Sequence, residues 1–373
     1  MKKNWFELKV EKFSAIGGYK KPELNENSLK LDSNENYVLS KQFQNNIVSG
    51  AVKNSDVREY PLGGVERLIK MISKFVKVPI SMIGIGNGSD QILDLILSNF
   101  ASKQTKVLTS NPTFGFFEER CKLYSIPLIA IPFSDDMKLN VKDFLKESKN
   151  ADILYLDSPN NPTGFQFTKT ELQKLVKSFD GLVIIDEAYG EFADYSLSSF
   201  AKTQSNLIVV RTLSKSFGMA GIRLGYFVAN KKFTDAFLNV LQYPYPLSTL
   251  TVESGILALE KVNLMENAVK IIKSERQRII ETLEKFDTFD VFDSKANFVL
   301  FDAHSSYKRV FSALAEQGIS IRKLGKIGNH NGCLRVTIGT KEMNSKFLLA
   351  IRDLLGWLWF KNLKESTLMI HLI

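Results

Sequence analysis

The segment TLSKSFGMAGIRLGY, residues 212–226, follows the apolar run NLIVV and places one lysine, Lys215, between two serines. Arg223 comes eight residues later, past a glycine and an Ala-Gly pair. A lysine exposed to water needs no small, glycine-rich surroundings, whereas a lysine that must hold a ligand benefits from them. A lone lysine after a strand is most often a solvated surface residue. Whether Lys215 binds a ligand must therefore be judged from the residues at the ends of the other strands.

The bulk composition is that of a globular protein. The chain has 373 residues, of which 44% are hydrophobic and 24% charged, enough for one large core and a second, smaller unit. The net charge of +9 is spread along the chain, and no nucleic-acid-binding motif is present, so we expect no nucleic-acid partner. A net positive charge also favours the binding of anionic substrates.

Cysteine and histidine usage favours a reducing compartment without a metal site. Cys121 and Cys333 are far apart and lack zinc-type spacing, while His304 and His330 are expected at the surface. The charged start lacks the apolar core of a signal peptide, and no run approaches 18 uncharged apolar residues. These features predict a cytoplasmic protein with no membrane span and no metal.

Strand-like apolar runs alternate with segments of helical periodicity. This order predicts an α/β fold, a large domain with a mostly parallel sheet flanked by helices. Two helix starts carry capping signals, Ser89 before DQILDLILSNFA and the pair Thr168 and Glu171 around TKTELQKLVKSF. The runs interpreted as strands are KVLTS, ADILYL, GLVIID and NLIVV.

The pattern changes after about residue 265, where a long helix precedes several short strands and helices. We therefore predict a large domain at 46–265 and a smaller α+β domain at 266–373. Residues 1–45 lack a core of their own and are expected to pack with the small domain.

Three polar residues follow three different predicted strands: Asn161, Asp186 and Lys215. Ligands of open parallel sheets bind outside the carboxyl ends of the strands. Their convergence at one sheet edge is stronger evidence for a site than any one of them, because Asp186 alone could begin a helix and Asn161 alone could serve a turn.

A lysine that carries pyridoxal phosphate as a Schiff base would account for this set. A carboxylate, Asp186, would keep the pyridine nitrogen protonated, and Asn161 and Tyr189 would face the ring oxygen. GNGSDQI, residues 86–92, offers a helix N-terminus to the phosphate, and Thr212, Ser214 and Arg223 offer hydroxyls and a cation. GIGNG lacks the register of a dinucleotide loop.

SPNNPTG, DEAY, SKSFGMAGIRLGY and CLRVTIGT, in that order, resemble the pyridoxal-phosphate aminotransferases of fold type I over almost the whole chain. KLDSNENY, YPLGG and NGSDQIL are similar to the histidinol-phosphate branch of that family. The resemblance implies that the mostly parallel sheet of the large domain is of the seven-stranded type, and it implies a catalytic set of Lys215, Asp186 and Tyr189. It implies a cofactor site of Ser89, Asp90, Phe114, Asn161, Asp186, Tyr189, Thr212, Ser214, Lys215 and Arg223, completed by Tyr60 from the other subunit of a homodimer.

For the substrate, the resemblance implies Arg322 and Arg335, with Tyr19 and Asn36 nearby. The expected reaction moves an amino group between histidinol phosphate and 2-oxoglutarate and yields glutamate, as in histidine biosynthesis. Two guanidinium groups suit a doubly charged phosphate ester.

Alternatives within the fold are an aminotransferase for aromatic amino acids or another phosphorylated amine, and an amino-acid phosphate decarboxylase. A non-catalytic binding protein and a nicotinamide-dependent oxidoreductase are alternatives of other classes. The intact Lys215 argues against the non-catalytic binding protein. The missing dinucleotide-binding fingerprint argues against the oxidoreductase.

Three positions depart from the family pattern. Phe114 stands where the branch commonly has a tyrosine, so ring stacking is kept and a hydroxyl contact is lost. Tyr37 replaces a proline, and Leu247 replaces a common amide near the substrate side.

Overall fold

The computed structural model describes residues 4–16, 18 and 28–370. Tyr19 therefore lies outside the described residues. The strands are β1 (Leu29–Leu31), β2 (Ile83–Asn87), β3 (Val107–Asn111), β4 (Leu128–Pro132), β5 (Ile153–Asp157), β6 (Leu182–Asp186), β7 (Leu207–Thr212), β8 (Leu224–Val228), β9 (Asp290–Val291), β10 (Phe298–Asp302), β11 (Ile319–Ile327) and β12 (His330–Thr337).

The helices within the described residues surround and connect these strands. They are α1 (Trp5–Ile16), α2 (Lys41–Asn54), α3 (Leu62–Val76), α4 (Gly88–Phe100), α5 (Gly115–Tyr124), α6 (Val141–Glu147), α7 (Lys169–Ser178), α8 (Lys231–Ala236), α9 (Thr249–Leu259), α10 (Val262–Leu283), α11 (Tyr307–Glu316) and α12 (Lys341–Ile370). In the described part of the chain, none is long and apolar enough to cross a lipid bilayer.

The larger sheet has seven strands in the order β2-β8-β7-β6-β5-β3-β4. The pairs within β7-β6-β5-β3-β4 are parallel, and β8 runs antiparallel to both of its neighbours. Along β6, Val183 and Ile185 face one apolar core while Ile184 faces the other. Because both faces are covered, these strands are nearly continuous runs of apolar residues. The predicted mostly parallel α/β sheet is confirmed.

The smaller sheet has five strands in the order β1-β11-β12-β10-β9. β1 pairs in parallel with β11, and the other pairs are antiparallel. The N-terminal segment thus contributes an edge strand, β1, to the sheet of the C-terminal part. The exact domain boundaries at residues 45 and 265 stay a prediction.

Two capping predictions had different outcomes. Thr168 and Glu171 form the reciprocal capping box at the start of α7. The prediction of Ser89 as an N-cap was wrong, because β2 runs to Asn87 and the helix α4 begins at once with Gly88. Gly88 has φ +76°, a left-handed conformation that favours glycine, and this sharp turn leaves Ser89 inside the first helical turn.

Candidate functional site

A cavity of about 280 Å³ opens at the carboxyl ends of the parallel strands, between the two sheets. Its polar and charged lining comes from at least six separate segments of the chain. The lining residues are Asp32, Ser33, Asn34, Ser89, Asp90, Phe114, Phe116, Asp157, Asn161, Asp186, Ala188, Tyr189, Thr212, Ser214, Lys215, Ala220, Arg223, Arg322 and Arg335. The residues predicted from the strand ends are therefore brought together, as the topology requires.

Lys215 lies in the loop that follows β7, and its amine points into this cavity. Its Nζ donates a hydrogen bond to the Ser33 carbonyl over 3.1 Å. Burial lowers the pKa of Lys215 to about 8, and the positive charge of Arg335 adds to the shift. A lysine with a pKa near neutrality has a substantial uncharged fraction, which is the form that attacks a carbonyl or accepts a proton.

Asp186 ends β6 and is almost fully buried. One carboxylate oxygen accepts from the Ala188 backbone N–H at 2.9 Å, and the other accepts from the Tyr155 hydroxyl at 3.2 Å. Burial, together with the nearby negative charge of Asp157, raises the pKa of Asp186 to about 7. Both hydrogen-bond donors are neutral, so they do not balance the negative charge of this buried carboxylate. A cationic ligand group next to Asp186 would balance it.

Asp157, at the end of the neighbouring strand β5, holds the loop that carries Asn161. Its carboxylate accepts from the Thr113 hydroxyl at 2.9 Å, the Asn160 amide at 2.8 Å and the Asn161 backbone N–H at 2.7 Å. Burial still raises the pKa of Asp157 to about 6, although these three bonds oppose the shift. Asn161 is thereby fixed at the cavity wall, where its side-chain oxygen accepts from Arg335.

The end of the cavity next to α4 has the features of an anion-binding site. The first turn of α4 presents Ser89 and Asp90, where backbone N–H groups are free of helical partners. This helix end packs against β8 so closely that a Cβ at Gly225 would lie 2.3 Å from the Ser89 nitrogen. Thr212 and Ser214 form a hydroxyl pair 3.0 Å apart on the same wall.

Arg223 adds a guanidinium to this end of the cavity, and it forms an ion pair with Asp90 at 3.0 Å. Its backbone lies in the left-handed region with φ +53°. Helix end, hydroxyls and guanidinium together suit a phosphate group.

Tyr189 and Phe114 lie on the walls between these two ends. The Tyr189 hydroxyl accepts a 2.8 Å hydrogen bond from the Asn34 side chain, and the Lys215 Nζ lies 5.8 Å from the centre of its ring. Phe114 precedes α5 and is half-buried in the cavity wall. A planar aromatic ligand would find one aromatic side chain at each of these positions.

The segment Asp32–Ser33–Asn34 lines the cavity but was not among the predicted site residues. The motif KLDSNENY pointed to this region, yet only Asn36 was selected from it. Asn36 lies outside the cavity lining, where its amide donates to the Ser216 carbonyl at 2.7 Å. It therefore supports the loop that carries Lys215, and its predicted substrate contact stays a prediction.

Arg322 and Arg335 enter the cavity from the smaller sheet. They are directly paired across β11 and β12. Arg335 donates one further hydrogen bond to the Asp32 carbonyl at 2.9 Å. Two guanidinium groups on adjacent strands form a cationic wall opposite the strand ends of the larger sheet.

Tyr60 is the predicted cofactor residue that this cavity does not include. Its side chain is 67% exposed and stacks on Tyr245 with ring centres 3.8 Å apart. In a single subunit it is a surface residue, which is consistent with the prediction that it serves the cavity of another subunit.

Residues 20–351 match the model of the aminotransferase class I and II family. A histidinol-phosphate aminotransferase of Pyrococcus furiosus is 34% identical over 87% of this chain and 92% of its own length. The solved structure of the Clostridium acetobutylicum histidinol-phosphate aminotransferase superposes with a TM-score of 0.79 at 28% identity, covering 87% of this chain and 98% of that one.

A further solved structure shows the shared fold with a ligand in place. The histidinol-phosphate aminotransferase of Sinorhizobium meliloti, in complex with pyridoxal-5'-phosphate, has a TM-score of 0.78 and 24% identity, covering 87% of this chain and 91% of that one.

Proposed function

The chain belongs to the aminotransferase class I and II family, and from that premise we propose that it transfers an amino group between histidinol phosphate and 2-oxoglutarate. The observation that carries the proposal is the meeting of Lys215, Asp186 and the arginine pair Arg322 and Arg335 in one cavity. The names of its relatives support the choice of amino substrate.

The residues of the cavity fit pyridoxal phosphate, the cofactor of this family. Asp186 is a buried carboxylate whose raised pKa reports an uncompensated charge, which a protonated ring nitrogen would offset. Gly225 allows the N-terminus of α4 to approach the sheet, where a Cβ would collide with the amide nitrogen of Ser89. The residues that would hold the phosphate are Ser89, Asp90, Thr212, Ser214 and Arg223, and those around the ring are Phe114, Asn161 and Tyr189.

When bound, pyridoxal phosphate supplies an electron sink for the negative charge that develops at the substrate carbon. Lys215 would bind the cofactor aldehyde and, once released by the substrate amine, would move the proton at the substrate carbon. Its pKa of about 8 allows the amine to accept and return that proton near neutral pH. Asp186 would keep the ring nitrogen protonated, and the hydrogen bond from Asn34 orients the Tyr189 hydroxyl.

The arginine pair would set the substrate class. Arg322 and Arg335 each offer a planar fork of N–H donors to phosphate or carboxylate oxygens. Because Arg335 also holds Asn161, its replacement would disturb the cofactor side of the cavity. Replacement of Arg322 leaves the hydrogen bond between Arg335 and Asn161 in place, so Arg322 is the probe of substrate recognition.

The test is a coupled assay with histidinol phosphate, histidinol and phenylalanine, each against 2-oxoglutarate. We expect a strong preference for the phosphate ester, and Arg322→Lys should reduce that preference by about 10- to 100-fold, the value of a charge-assisted bidentate contact. Arg352→Lys, at an exposed position, is the control. Equal or better use of phenylalanine would assign the protein to a different aminotransferase branch.

We also infer a homodimer with shared active sites. Exposed apolar side chains surround Tyr60 in sequence and recur in the segment of Tyr245, namely Val48, Val52, Val57, Leu62, Tyr243 and Leu250. Exposed apolar side chains that recur in segments joined by the Tyr60–Tyr245 contact favour a protein partner. A dimer would bury these side chains and bring Tyr60 to the other subunit's cavity.

Mixed dimers test this arrangement. Lys215→Ala and Tyr60→Ala subunits are each expected to be impaired, but a heterodimer of the two has one site with both native residues. Refolding the two variants together should restore about a quarter of the wild-type activity, since about half of the dimers are mixed. No recovery above the separate variants would show that Tyr60 does not act across subunits.

We further propose that the enzyme works in the cytoplasm. Cys121 and Cys333 are free and buried, as expected in a reducing compartment. Location of a fluorescent fusion in the source cell would test this.

A further inference from the structure

Two histidines and two aspartates meet on the smaller sheet, outside the cavity. His330 opens β12, Asp302 ends β10, Asp290 begins β9, and His304 follows β10. The His330 Nδ1 lies 3.0 Å from the Asp302 carboxylate and 3.8 Å from that of Asp290. The two ring nitrogens of His304 lie 3.5 Å from the same two carboxylates. The ligand atoms of Asp290, Asp302 and His330 all lie within 4.8 Å of one another.

The surroundings of His330 define which of its nitrogens carries a proton. Its Nε2 lies 2.7 Å from the backbone carbonyl of Asp135. A carbonyl only accepts, so Nε2 must be the donor. In the neutral ring, Nδ1 then directs a lone pair at an Asp302 carboxylate oxygen. Two lone pairs at 3.0 Å repel unless a cation lies between them or the ring is charged.

This arrangement is the one that metal-binding histidines adopt. Such a histidine usually donates its second ring N–H to a carbonyl or carboxylate, which fixes the tautomer and aims the other nitrogen at the ion. Asp302 is similarly fixed, because its second oxygen accepts from the His304 backbone N–H at 2.7 Å and its side chain is only 2% exposed. The His330 side chain is 12% exposed, so it is partly covered and lies deeper than was expected for a surface residue.

We propose that Asp290, Asp302 and His330 form a three-ligand binding site for a divalent transition-metal ion of the Zn²⁺ type, with water as the fourth ligand. Ligands about 2.1 Å from a tetrahedral ion are about 3.4 Å apart, and the His330 Nδ1 lies 3.0 and 3.8 Å from the two carboxylates. An imidazole with two carboxylates favours Zn²⁺ over Mg²⁺, which prefers oxygen ligands and water.

The site would brace the contact between the two parts of the molecule. Asp135 lies in the loop after β4 of the larger sheet, and it also accepts from the Asn329 amide at 2.8 Å. Next to this contact, Phe133 and Met137 pack in one apolar cluster with Phe292. An ion that orders His330 would therefore hold the loop after β4 against the smaller sheet. The predicted role is structural, since none of the three protein ligands is among the residues that line the cavity.

The test is Zn²⁺ binding by tag-free, cofactor-loaded protein, measured by calorimetry and by metal content after dialysis. Asp302→Asn removes the negative ligand, yet its amide would still accept from the His304 N–H and donate to the His330 Nδ1. Asp290→Asn removes the charge of the second carboxylate ligand, which is half exposed. Asp287→Asn, at an exposed position three residues before Asp290, is the matched control.

We expect one Zn²⁺ per chain in the wild type and in Asp287→Asn. Binding should be at least about tenfold weaker in Asp302→Asn and Asp290→Asn. Zn²⁺ should raise the Tm of the wild type and leave that of Asp302→Asn unchanged, while Mg²⁺ should raise neither. If the wild type binds Zn²⁺ no more tightly than Asp302→Asn, the cluster is an imidazolium–carboxylate ion pair and the proposal fails. Retained cofactor absorbance in the variants would show that they are folded.

Discussion

Replacement of Asp186 by asparagine should stabilise the cofactor-free protein and weaken the cofactor-loaded one. In the cofactor-free state, burial raises the pKa of this carboxyl from 3.8 to about 7. A raised pKa means that the native state binds the proton more tightly than the unfolded chain. The resulting stability is fully present below the unfolded pKa and is lost as the pH rises through about 7.

The magnitude follows from the size of the shift. Between about pH 5 and the folded pKa of about 7, the wild type should lose roughly 3 kcal/mol of stability at 1.36 kcal/mol per pKa unit. Asp186→Asn is neutral throughout, and its side-chain oxygen would still accept from the Ala188 N–H. The stability of the variant relative to the wild type should therefore rise over this pH range.

The assay is urea unfolding of both proteins at about pH 5 and about pH 8, with and without pyridoxal phosphate. When the cofactor is present, the variant lacks the charged partner of the ring nitrogen, so its cofactor affinity should fall by about 10- to 100-fold. Asp180→Asn, at an exposed position, controls for the loss of one negative charge. A stability difference between variant and wild type that is the same at both pH values would refute the reasoning.

Three further changes have defined expectations. Gly225→Ala should lower cofactor affinity and lower the free energy of unfolding by about 1–3 kcal/mol, because its Cβ would lie 2.3 Å from the Ser89 nitrogen. Gly221→Ala is the control, since a Cβ there meets nothing within 4 Å. Urea unfolding and cofactor titration measure both effects, and equal effects in the two variants would contradict the prediction. Lys215→Met should stabilise the cofactor-free protein more at about pH 7 than at about pH 10. Burial disfavours the charged amine and lowers its pKa to about 8, so the energetic penalty disappears as the lysine deprotonates at higher pH. A difference in unfolding free energy that does not change with pH would count against this prediction. Thr168→Ala should lower the unfolding free energy by about 1 kcal/mol through loss of the α7 capping box, with no change in kcat.

The sequence was most informative where a strand ends in a polar residue. Asn161, Asp186 and Lys215 could be placed together because parallel strands deliver their carboxyl ends to one edge of a sheet. Asp157 ends β5 in the same way, but its role as the acceptor that holds Asn161 depends on three hydrogen bonds that periodicity does not reveal.

Other parts of the site depend on pairings between distant segments. Asn34 reaches Tyr189 across 155 residues because β1 pairs with β11 of the smaller sheet, and no local pattern specifies that pairing. The meeting of His330 with Asp302 depends likewise on the register of β10 and β12. Ser89 was misplaced as a cap because a positive-φ glycine allows the helix to begin directly after the strand.

The central claim is that this cavity transfers an amino group through Lys215. The most direct measurement is glutamate formation from 2-oxoglutarate and histidinol phosphate by the cofactor-loaded protein, beside Lys215→Ala. We predict one glutamate for each histidinol phosphate consumed, and for the variant a loss of both turnover and the visible absorbance of bound cofactor. Release of CO2 without glutamate, or turnover that survives in Lys215→Ala, would contradict the account.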